Sequence, residues 1–200
     1  DATREAVAAY EAAGVRYFYQ DNQGAGAARN RGIGETSGEL IAFLDGDDIW
    51  LPDKIARQVR HLTEYPKTAL VSGGAWIWKL QNNTCKIKRC LFKPHADVAQ
   101  EILVHNIVGN PSQVLLRRSI LREVGLFDTS LRWGQDWELW MRIVARARID
   151  FMTSPVIIYR SRPGNLSHER SWERSARLIE IARQAIGKYH PAWRRPLLLA

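Results

Sequence analysis

The feature that most constrains the fold is an apolar run that ends in a cluster of acids. Residues 39–44, ELIAFL, are followed directly by Asp45, Gly46, Asp47 and Asp48. A continuous apolar run of this length is typical of a strand buried on both faces, as in an α/β protein. In open α/β sheets, ligands bind at the carboxyl ends of such strands. The run therefore predicts an α/β fold with a site at the acids.

Helix-like and strand-like segments alternate along the rest of the chain, which is the pattern of an α/β layered domain. Start and stop signals such as Pro52 and Pro66 delimit several of them. Helices are predicted over 3–14, 24–38, 52–65, 96–106, 135–147 and 168–188, and strands over 15–19, 39–44, 69–80, 112–119 and 149–160.

Composition narrows the classes of protein further. With 200 residues, 46% of them hydrophobic and 25% charged, the chain can fill one core but not two large ones. We find no apolar run long enough to span a bilayer and no signal peptide. Cys85 and Cys90 are the only cysteines, which argues against a disulfide framework or a zinc site. The net charge of +8 indicates an anionic partner, and nucleic acid, acidic lipid or a phosphorylated substrate would each satisfy it.

The three acids predict a metal site. Carboxylates one residue apart, as in Asp45 and Asp47, can converge on one hard cation, and oxygen ligands favour Mg²⁺ or Mn²⁺. Such an ion would in turn bind a diphosphate. The alternative interpretation is that Asp47, Asp48 or Asp53 caps the helix that begins near Pro52.

The glycine-rich segment 24–34 does not match the common nucleotide-binding fingerprints. After Gly24 and Gly26, the dinucleotide fingerprint requires a third glycine at position 29, which is an arginine, and no P-loop Gly-Lys-Ser/Thr follows. Close packing of this helix on the sheet explains the small residues, while Arg29 stays a candidate for phosphate binding.

Two enzyme classes place an Asp-x-Asp motif after an apolar strand. In haloacid-dehalogenase-like phosphatases the first aspartate, here Asp45, is the nucleophile, but their motif continues to Thr or Val where this chain has Ile49. The second class is the glycosyltransferases. Segments 23–55, 109–144 and 156–167 together resemble an inverting family 2 glycosyltransferase of the GT-A type, with its motifs in the family's order.

The resemblance covers residues 1–167 and implies a three-layer α/β/α fold with a mostly parallel mixed sheet. It also implies that the chain is a fragment whose first strand, which holds the nucleotide base, is missing before Asp1. We therefore expect the chain alone to be poorly stable or inactive. Residues 168–200 are expected to form a basic amphipathic helix and tail. Its basic face is either solvated or in contact with anionic lipid.

For the donor side, the resemblance assigns Asp45, Gly46 and Asp47 to the DxD motif. Asp47 is the leading metal ligand, and Asp45 lies near the ribose or the ion. Arg29 and Asn30 are expected to face the donor nucleotide. The implied cofactor is Mn²⁺ or Mg²⁺, and Arg162 stands where the family often has a histidine near the diphosphate. Because an arginine cannot ligate a cation, it would pair with phosphate oxygens instead.

For the acceptor side, the resemblance makes Asp136 the general base. The helix dipole would keep its carboxylate ionised near neutral pH. Gln135 occupies the place of a second acid, and Trp133 is a candidate for stacking on an acceptor sugar. Four further side chains are expected to be structural: the i,i+4 partners Glu138 and Arg142, and the core tryptophans Trp137 and Trp140.

These assignments imply a cytoplasmic enzyme, at the inner face of the membrane if the lipid contact holds. Its donor is expected to be a UDP-sugar and its acceptor a glycan or lipid-linked glycan of the cell surface, with no nucleic-acid partner. Two alternatives stay open. One is the phosphatase, and the other is a non-catalytic sugar-nucleotide-binding domain, which Gln135, Arg162 and the missing first strand favour.

Overall fold

One mixed sheet with helices on both faces forms the protein, in a computed structural model that describes residues 2–81, 84–90, 97–161, 180, 181 and 184. Its strands are β1 (Leu40–Ala42), β2 (Asp48–Trp50), β3 (Thr68–Gln81), β4 (Thr84–Cys90), β5 (Val114–Arg117) and β6 (Arg148–Ser161). The helices are α1 (Thr3–Ala8), α2 (Gly24–Gly34), α3 (Lys54–Glu64), α4 (Val98–Val104), α5 (Arg118–Val124) and α6 (Gln135–Val144), with 3₁₀ turns at Glu11–Ala13 and Pro111–Gln113. Among the described helices, none combines the length and apolar character needed to cross a bilayer.

The strand order is β1-β5-β3-β6-β2, and β4 extends the sheet by pairing with β3. Among these pairs only β3 with β6 is parallel; the other pairs are antiparallel. The predicted predominance of parallel pairing is therefore wrong for the described part of the sheet. A continuous apolar run indicates only that both faces of a strand are buried. Helices bury both faces of this sheet, and that burial does not depend on whether neighbouring strands are parallel or antiparallel.

Alternate residues of the central strands face two separate cores, as the two-residue period of a strand requires. Leu70 and Leu116 belong to the larger core, which α2, α4, α5 and α6 cover. Their neighbours Val71 and Leu115 pack on the opposite face against Leu62 of α3. The predicted three-layer α/β/α arrangement is thus confirmed.

The two longest strands, β3 and β6, approach each other unusually closely near Gly73. A Cβ built on Gly73 would lie 2.4 Å from Cγ1 of Val156, so only glycine fits there. The register between the strands shifts between Ser72 and Ala75, which marks a bulge. Because bulges bend and twist a strand, this irregularity helps the sheet to curl.

Several predicted elements differ from those observed. Residues 15–19, predicted as a strand, form no ladder with any described strand. Instead Arg16 bonds the Glu35 carbonyl and Arg31 donates to the Tyr19 carbonyl, which holds this segment along α2. The short elements β2, β4 and α5 were not predicted, since each depends on a neighbour for its pairing or packing. Of the predicted helix 168–188, only residues 180, 181 and 184 are described, and Ile181 is buried in the larger core.

Candidate active site

The acidic turn, Asp45–Asp48, connects β1 to β2 and is held by its own backbone and by two neighbours. The Asp48 N–H donates to the Asp45 carbonyl at 2.9 Å, and the Asp45 N–H donates to Oγ of Ser112 at 3.0 Å. Arg160, near the end of β6, donates from Nε to the Asp47 carbonyl at 2.5 Å and from Nη2 to the Gly46 carbonyl at 3.4 Å. The backbone of the turn is therefore fixed without use of its carboxylates.

Arg29 of α2 reaches the acidic turn, as the sequence predicts. Its Nη2 lies 2.6 Å from Oδ1 of Asp45, and its guanidinium lies over the Phe127 ring with 5.5 Å between Cζ and the ring centroid. The Arg29 side chain is only 15% exposed and that of Asp45 is 30% exposed. The pair is thus partly sheltered from water, and it brings a cation and a carboxylate together at the carboxyl end of β1.

Asp48 is the most deeply buried acid of the turn, with 6% of its surface exposed. Its Oδ2 accepts a hydrogen bond from Asn110 Nδ2 at 2.9 Å, while its Oδ1 is buried with no hydrogen-bond partner among the described residues. Burial raises the pKa of Asp48, the neighbouring carboxylates of Asp45 and Asp47 raise it further, and the nearby Ser112 and Asn110 side chains oppose the change. The capping alternative is wrong, because α3 begins at Lys54 with no side-chain cap.

Asp136 lies in the first turn of α6, at the same end of the sheet as the acidic turn. Burial raises the pKa of its carboxyl, while the Trp137 and Asp136 backbone amides and the Arg29 charge oppose the rise. The charge of Asp45 adds to the increase. The helix-terminus amides thus favour the ionised form, as predicted, but desolvation outweighs them and the net direction is upward. Ionisation of Asp136 near neutral pH stays a prediction. Because the charges of Arg29 and Asp45 act on the Asp136 carboxyl, the predicted donor and acceptor sides are close to each other in the fold.

Two predicted site residues are directed inward. Asn30 donates from Nδ2 to the Phe127 carbonyl at 2.8 Å, and its Oδ1 accepts from the Phe127 N–H at 3.0 Å. Gln135 is buried, and its amide, oriented so that both groups are satisfied, donates to the Leu131 carbonyl at 2.8 Å and accepts from the Gly26 N–H at 3.2 Å. Both side chains therefore hold chain segments together in this structure. The donor role of Asn30 and the acceptor-side role of Gln135 stay predictions.

The remaining predicted residues divide into those placed near the site and those outside the described chain. Trp133 precedes α6, with the Arg132 guanidinium 5.4 Å from its ring centroid, and its indole N–H is buried without a partner among the described residues. Its stacking on a sugar stays a prediction. Arg162 lies outside the described residues. The structural role expected for Glu138 is confirmed by two hydrogen bonds from Arg142, at 2.6 and 2.7 Å.

The expected core tryptophans are also confirmed. Trp140 is fully buried, and its indole N–H donates to the Gly109 carbonyl at 3.0 Å. Trp137 packs against the larger core and donates to the Ile102 carbonyl at 2.5 Å. Both rings therefore fasten α6 to α4 and to the loop that follows it.

Four polar residues that bound the site were missed at the level of sequence. They are Asn106, Asn110 and Ser112, in the segment between α4 and β5, and Arg160 of β6. Their type is common in loops and strand ends, so nothing local distinguishes them. Only the pairing of β2 with β6 and the path of the 106–113 segment bring them to the acidic turn.

A cleft of about 530 Å³ lies beside the acidic turn, between α2 and β1. Arg29 and Asp45 line one part of it, and Gly32, Thr36 and Leu40 line others. It follows the side of β1 that no described strand covers, since β1 pairs only with β5 among the described residues.

Comparison with known proteins identifies the family. The family model described as "Glycosyltransferase like family 2" matches residues 1–189. The chain belongs to glycosyltransferase-like family 2. This membership decides between the two classes that the Asp-x-Asp motif left open, in favour of the glycosyltransferase. It also confirms the resemblance that the motifs indicated.

Relatives within this glycosyltransferase family match most of the chain but only part of their own length. An uncharacterized glycosyltransferase of Rickettsia conorii is 33% identical over 147 residues, which are 72% of this chain and 24% of that protein. A putative teichuronic acid biosynthesis glycosyltransferase of Bacillus subtilis, TuaG, is 25% identical over 149 residues, 73% of this chain and 57% of the relative. The chain thus spans between about a quarter and somewhat over half of these relatives.

Solved structures confirm the GT-A type of fold. Residues 1–349 of S. aureus TarS in complex with UDP-GlcNAc align with a TM-score of 0.72 and 17% identity, covering 95% of this chain and 55% of that one. A mannosyltransferase from Pyrobaculum calidifontis in complex with GDP-Man and Mn²⁺ aligns with a TM-score of 0.55 and 15% identity, covering 94% and 62%. At these identities the likeness concerns the fold.

The acidic turn fits a divalent cation such as the Mn²⁺ in the Pyrobaculum calidifontis complex, although the protein supplies few ligands. Among the described residues, no three His, Cys, Asp or Glu side chains are grouped to hold an ion. The half-exposed Asp47 carboxylate has no hydrogen-bond or ion-pair partner among the described side chains, and Asp45 is engaged with Arg29. One or two carboxylates with substrate phosphates and water are a usual Mg²⁺ environment. The donor set therefore suits an ion that arrives with a diphosphate.

Proposed function

We propose that this chain transfers a sugar from a nucleoside diphosphate sugar to an acceptor hydroxyl, with inversion at the anomeric carbon. The observation that carries the proposal is the placement of Asp136 within the electrostatic reach of Arg29 and Asp45. A carboxyl with a raised pKa thus faces a cation and an acidic turn at one end of the sheet. Such a pairing of a base with a phosphate-binding group is what glycosyl transfer requires.

Asp136 is proposed to act as the general base. Burial and the Asp45 charge raise its pKa toward the working range, which makes the ionised carboxylate a stronger proton acceptor. As the acceptor hydroxyl loses its proton to Asp136, its oxygen forms a bond to the anomeric carbon. The bond from that carbon to the diphosphate oxygen breaks, and its electron pair leaves with the diphosphate. Attack opposite the leaving group gives inversion.

Arg29, Asp45 and Asp47 are proposed to bind the donor. On donor binding, Arg29 would exchange part of its pairing with Asp45 for a phosphate oxygen, since a guanidinium can bond both. Asp47, assisted by Asp45, would hold Mn²⁺ or Mg²⁺, which supplies Lewis-acid stabilisation of the departing diphosphate. Arg162 is proposed to pair with the same phosphates. Gly46 allows the donor to approach the turn closely.

The chemistry of the relatives suggests the substrates. TarS is in complex with UDP-GlcNAc and TuaG is described as a putative teichuronic acid biosynthesis enzyme. We accordingly propose a UDP-sugar donor and a glycan or lipid-linked glycan acceptor in cell-surface polysaccharide synthesis. The reaction would take place in the cytoplasm, at the inner face of the membrane when the acceptor is lipid-linked. Contact of the basic segment 168–188 with anionic lipid would then assist it.

The test is nucleoside diphosphate release from UDP-, GDP- and dTDP-sugars with Mn²⁺, by the protein translated from the complete reading frame that contains this chain. Asp136→Asn should bind donor but release diphosphate slowly, whereas Asp47→Ala should lose metal-dependent donor binding. Asp53→Ala, an exposed acid on α3's amino side, is the matched control and should behave as wild type. Donor binding without release in the wild type would favour the non-catalytic alternative, and no binding would contradict the proposal.

A further inference from the structure

The segment between α4 and β5, Asn106–Gln113, touches both halves of the candidate site; we call it the bridge segment. On the donor side, Ser112 Oγ accepts the Asp45 N–H at 3.0 Å, and Asn110 Nδ2 donates to Asp48 Oδ2 at 2.9 Å. The Trp50 indole N–H donates to the Ser112 carbonyl at 3.2 Å. The acidic turn and the strand after it are thus bonded to the bridge segment at three points.

The same segment contacts α6 on the acceptor side. Asn106 donates from Nδ2 to Asp136 Oδ2 at 3.4 Å, and the Trp140 indole N–H donates to the Gly109 carbonyl at 3.0 Å. Asn106 also closes a turn, because its Oδ1 accepts the Gly109 N–H at 3.1 Å. Asp136 and the helix that carries it are therefore bonded to one end of the bridge segment, and the acidic turn to the other.

The bridge segment is hydrogen-bonded to the sheet, so its two ends are held at a fixed distance from each other. Two residues of β3 hold it. Ser72 donates to the Val108 carbonyl at 2.6 Å, and the Gly73 carbonyl accepts from the Gln113 side chain at 2.6 Å. Gly109 has φ +88° and a Cβ there would lie 2.3 Å from Gln113 Oε1, so only glycine allows this path. With Ile107 and Val108 buried, the segment has little freedom to move.

We propose that the bridge segment sets the separation between the acidic turn and Asp136, with Ser112 and Asn106 as positioning residues at its two ends. Neither residue is proposed to touch the substrate, and each acts through the group to which it is hydrogen-bonded. Ser112 holds the donor-binding turn through its backbone, and Asn106 orients the Asp136 carboxyl. The inference rests on the proposed function for its catalytic consequence, but the placement of Asn106 against Asp136 is testable without activity.

The contact between Asn106 and Asp136 is tested by placing a negative charge at position 106. Asn106→Asp keeps the size of the side chain but places a carboxylate against Asp136, which also faces Arg29 from α2 and Asp45 from the acidic turn. We expect the pKa of Asp136 to rise by about 1, a tenfold change in its acid dissociation constant. The measurement is carboxyl ¹³C NMR of aspartate-labelled full-length protein, with Asp136→Asn identifying the resonance.

The matched control is His105→Asp, which adds a carboxylate one residue away at an exposed position. It should raise the pKa of Asp136 by less than about 0.3, because solvent screens a charge that is not in contact. Equal shifts in the two variants would overturn the placement of Asn106. In the assay of the proposed function, the acid limb of the kcat/KM profile should move with the NMR value. A pKa shift in a protein without transfer would contradict the function and leave the positioning intact.

The donor end is tested with Ser112→Ala, which removes the acceptor for the Asp45 N–H. We expect kcat to fall about tenfold, because the loosened turn misplaces the donor relative to Asp136. Ser154→Ala is the control, since its hydroxyl also accepts a hydrogen bond, from Arg57 at 2.6 Å, but away from the site. Thermal melting separates misplacement from unfolding. A folded Ser112→Ala protein with wild-type kcat would contradict the proposal.

Discussion

One acid near the beginning of β6 and a group of acids near its end have opposite environments in the structure. Near its beginning, Asp150 accepts hydrogen bonds from Thr68 at 2.6 Å and Arg148 at 2.8 Å, and lies 2.9 Å from His61 Nε2. We call these four residues the Asp150 cluster. Near its end lie the acidic turn and Asp136. There the pKa values of Asp48 and Asp136 are raised, and Oδ1 of Asp48 is buried without a hydrogen-bond partner among the described residues.

The pKa directions express the difference. Burial alone would raise the pKa of Asp150, but hydrogen bonds from Arg148, Thr68 and His61 lower it. For Asp136 the balance is reversed, and burial prevails over the backbone amides and Arg29. Because a raised acid pKa means that the ionised form is disfavoured in the folded state, Asp136 lowers stability where Asp150 increases it. This is the arrangement expected of a reactive group and a structural one.

The largest predicted effect is that of Asp136→Asn. Loss of the proposed general base should lower the rate of transfer about 10²- to 10⁴-fold. The same variant should be more stable than wild type at neutral pH, because it removes a carboxylate that is disfavoured when buried. Its advantage should vanish below about pH 3.9, where the carboxyl is protonated even in the unfolded chain. Transfer assays and chemical denaturation at pH 7 and pH 3.5 measure the two effects.

A fall in both activity and stability at pH 7 would remove the contrast between the two regions, since Asp136 would then resemble Asp150. The variant Asp136→Glu keeps the carboxylate but moves it by one methylene group. It therefore shows whether activity needs only a carboxylate at residue 136 or needs it at the position that aspartate gives. We expect Asp136→Glu to stay weakly active and to keep the pH dependence of its stability.

Lys54 extends the comparison to a buried cation, which lies in the first turn of α3. Burial lowers its pKa to about 7, and its Nζ donates to Gln58 Oε1 at 2.6 Å and the Val114 carbonyl at 3.1 Å. The folded state therefore holds its proton less tightly than the unfolded chain, so stability should rise with pH between about 7 and 10.5. Between pH 7 and 9 the gain should reach at most ~2–3 kcal/mol.

Thermal or urea unfolding at pH 7, 8 and 9 measures that gain. Lys54→Met fills the space without a titrating group, and its stability should change little over the same range. The exposed Lys67→Met is the control for the loss of one lysine. Parallel pH curves for wild type and Lys54→Met would show that Lys54 is charged in the folded protein.

A smaller effect is expected in the Asp150 cluster. Asp150→Asn removes the carboxylate charge to which Thr68, Arg148 and His61 are hydrogen-bonded. The variant should be less stable than wild type by ~1–3 kcal/mol at pH 7. Because the folded pKa of Asp150 is lowered, its contribution is present above about pH 4 and disappears as the pH falls through the folded value. Urea unfolding at pH 7 and pH 3 should show this, with kcat per folded molecule unchanged.

If Asp150→Asn lowered kcat without lowering stability, the division between a structural and a functional end would be wrong. Thr68→Val provides a second view, since it removes one hydrogen bond to the same oxygen without changing charge. Its destabilisation should be about half as large or less and should depend little on pH.

The smallest effect is expected at Asp53, whose carboxylate pairs with Arg57 at 3.1 Å but is 62% exposed. Exposed pairs of this kind contribute ~0–1 kcal/mol, and Asp53→Ala should therefore alter neither stability by more than that nor transfer. A strong loss of transfer would show that the proposed metal-binding region extends beyond the acidic turn, and Mn²⁺ titration would test this directly.

Much of the site was predictable because it is carried by local patterns. The apolar run before Asp45 places the acidic turn at a strand end, and the polar start of an amphipathic helix places Asp136 in a first turn. Asn30 and Gln135 were placed on the donor and acceptor sides because the resemblance to the family implied it. Their amides join chain segments, since a polar side chain that packing directs inward must find backbone partners.

The sequence alone determined the α/β class, because strand burial and helix periodicity depend on neighbouring positions. It also contains the ordered motifs whose resemblance to the family implied the base and the leading metal ligand. Tertiary structure decided the direction of strand pairing, the meeting of Arg29 with Asp45 and the role of the bridge segment. It also decided the sign of the Asp136 pKa shift. Those outcomes depend on burial and on residues far apart in the chain, and desolvation in particular exists only once the chain has folded around the group.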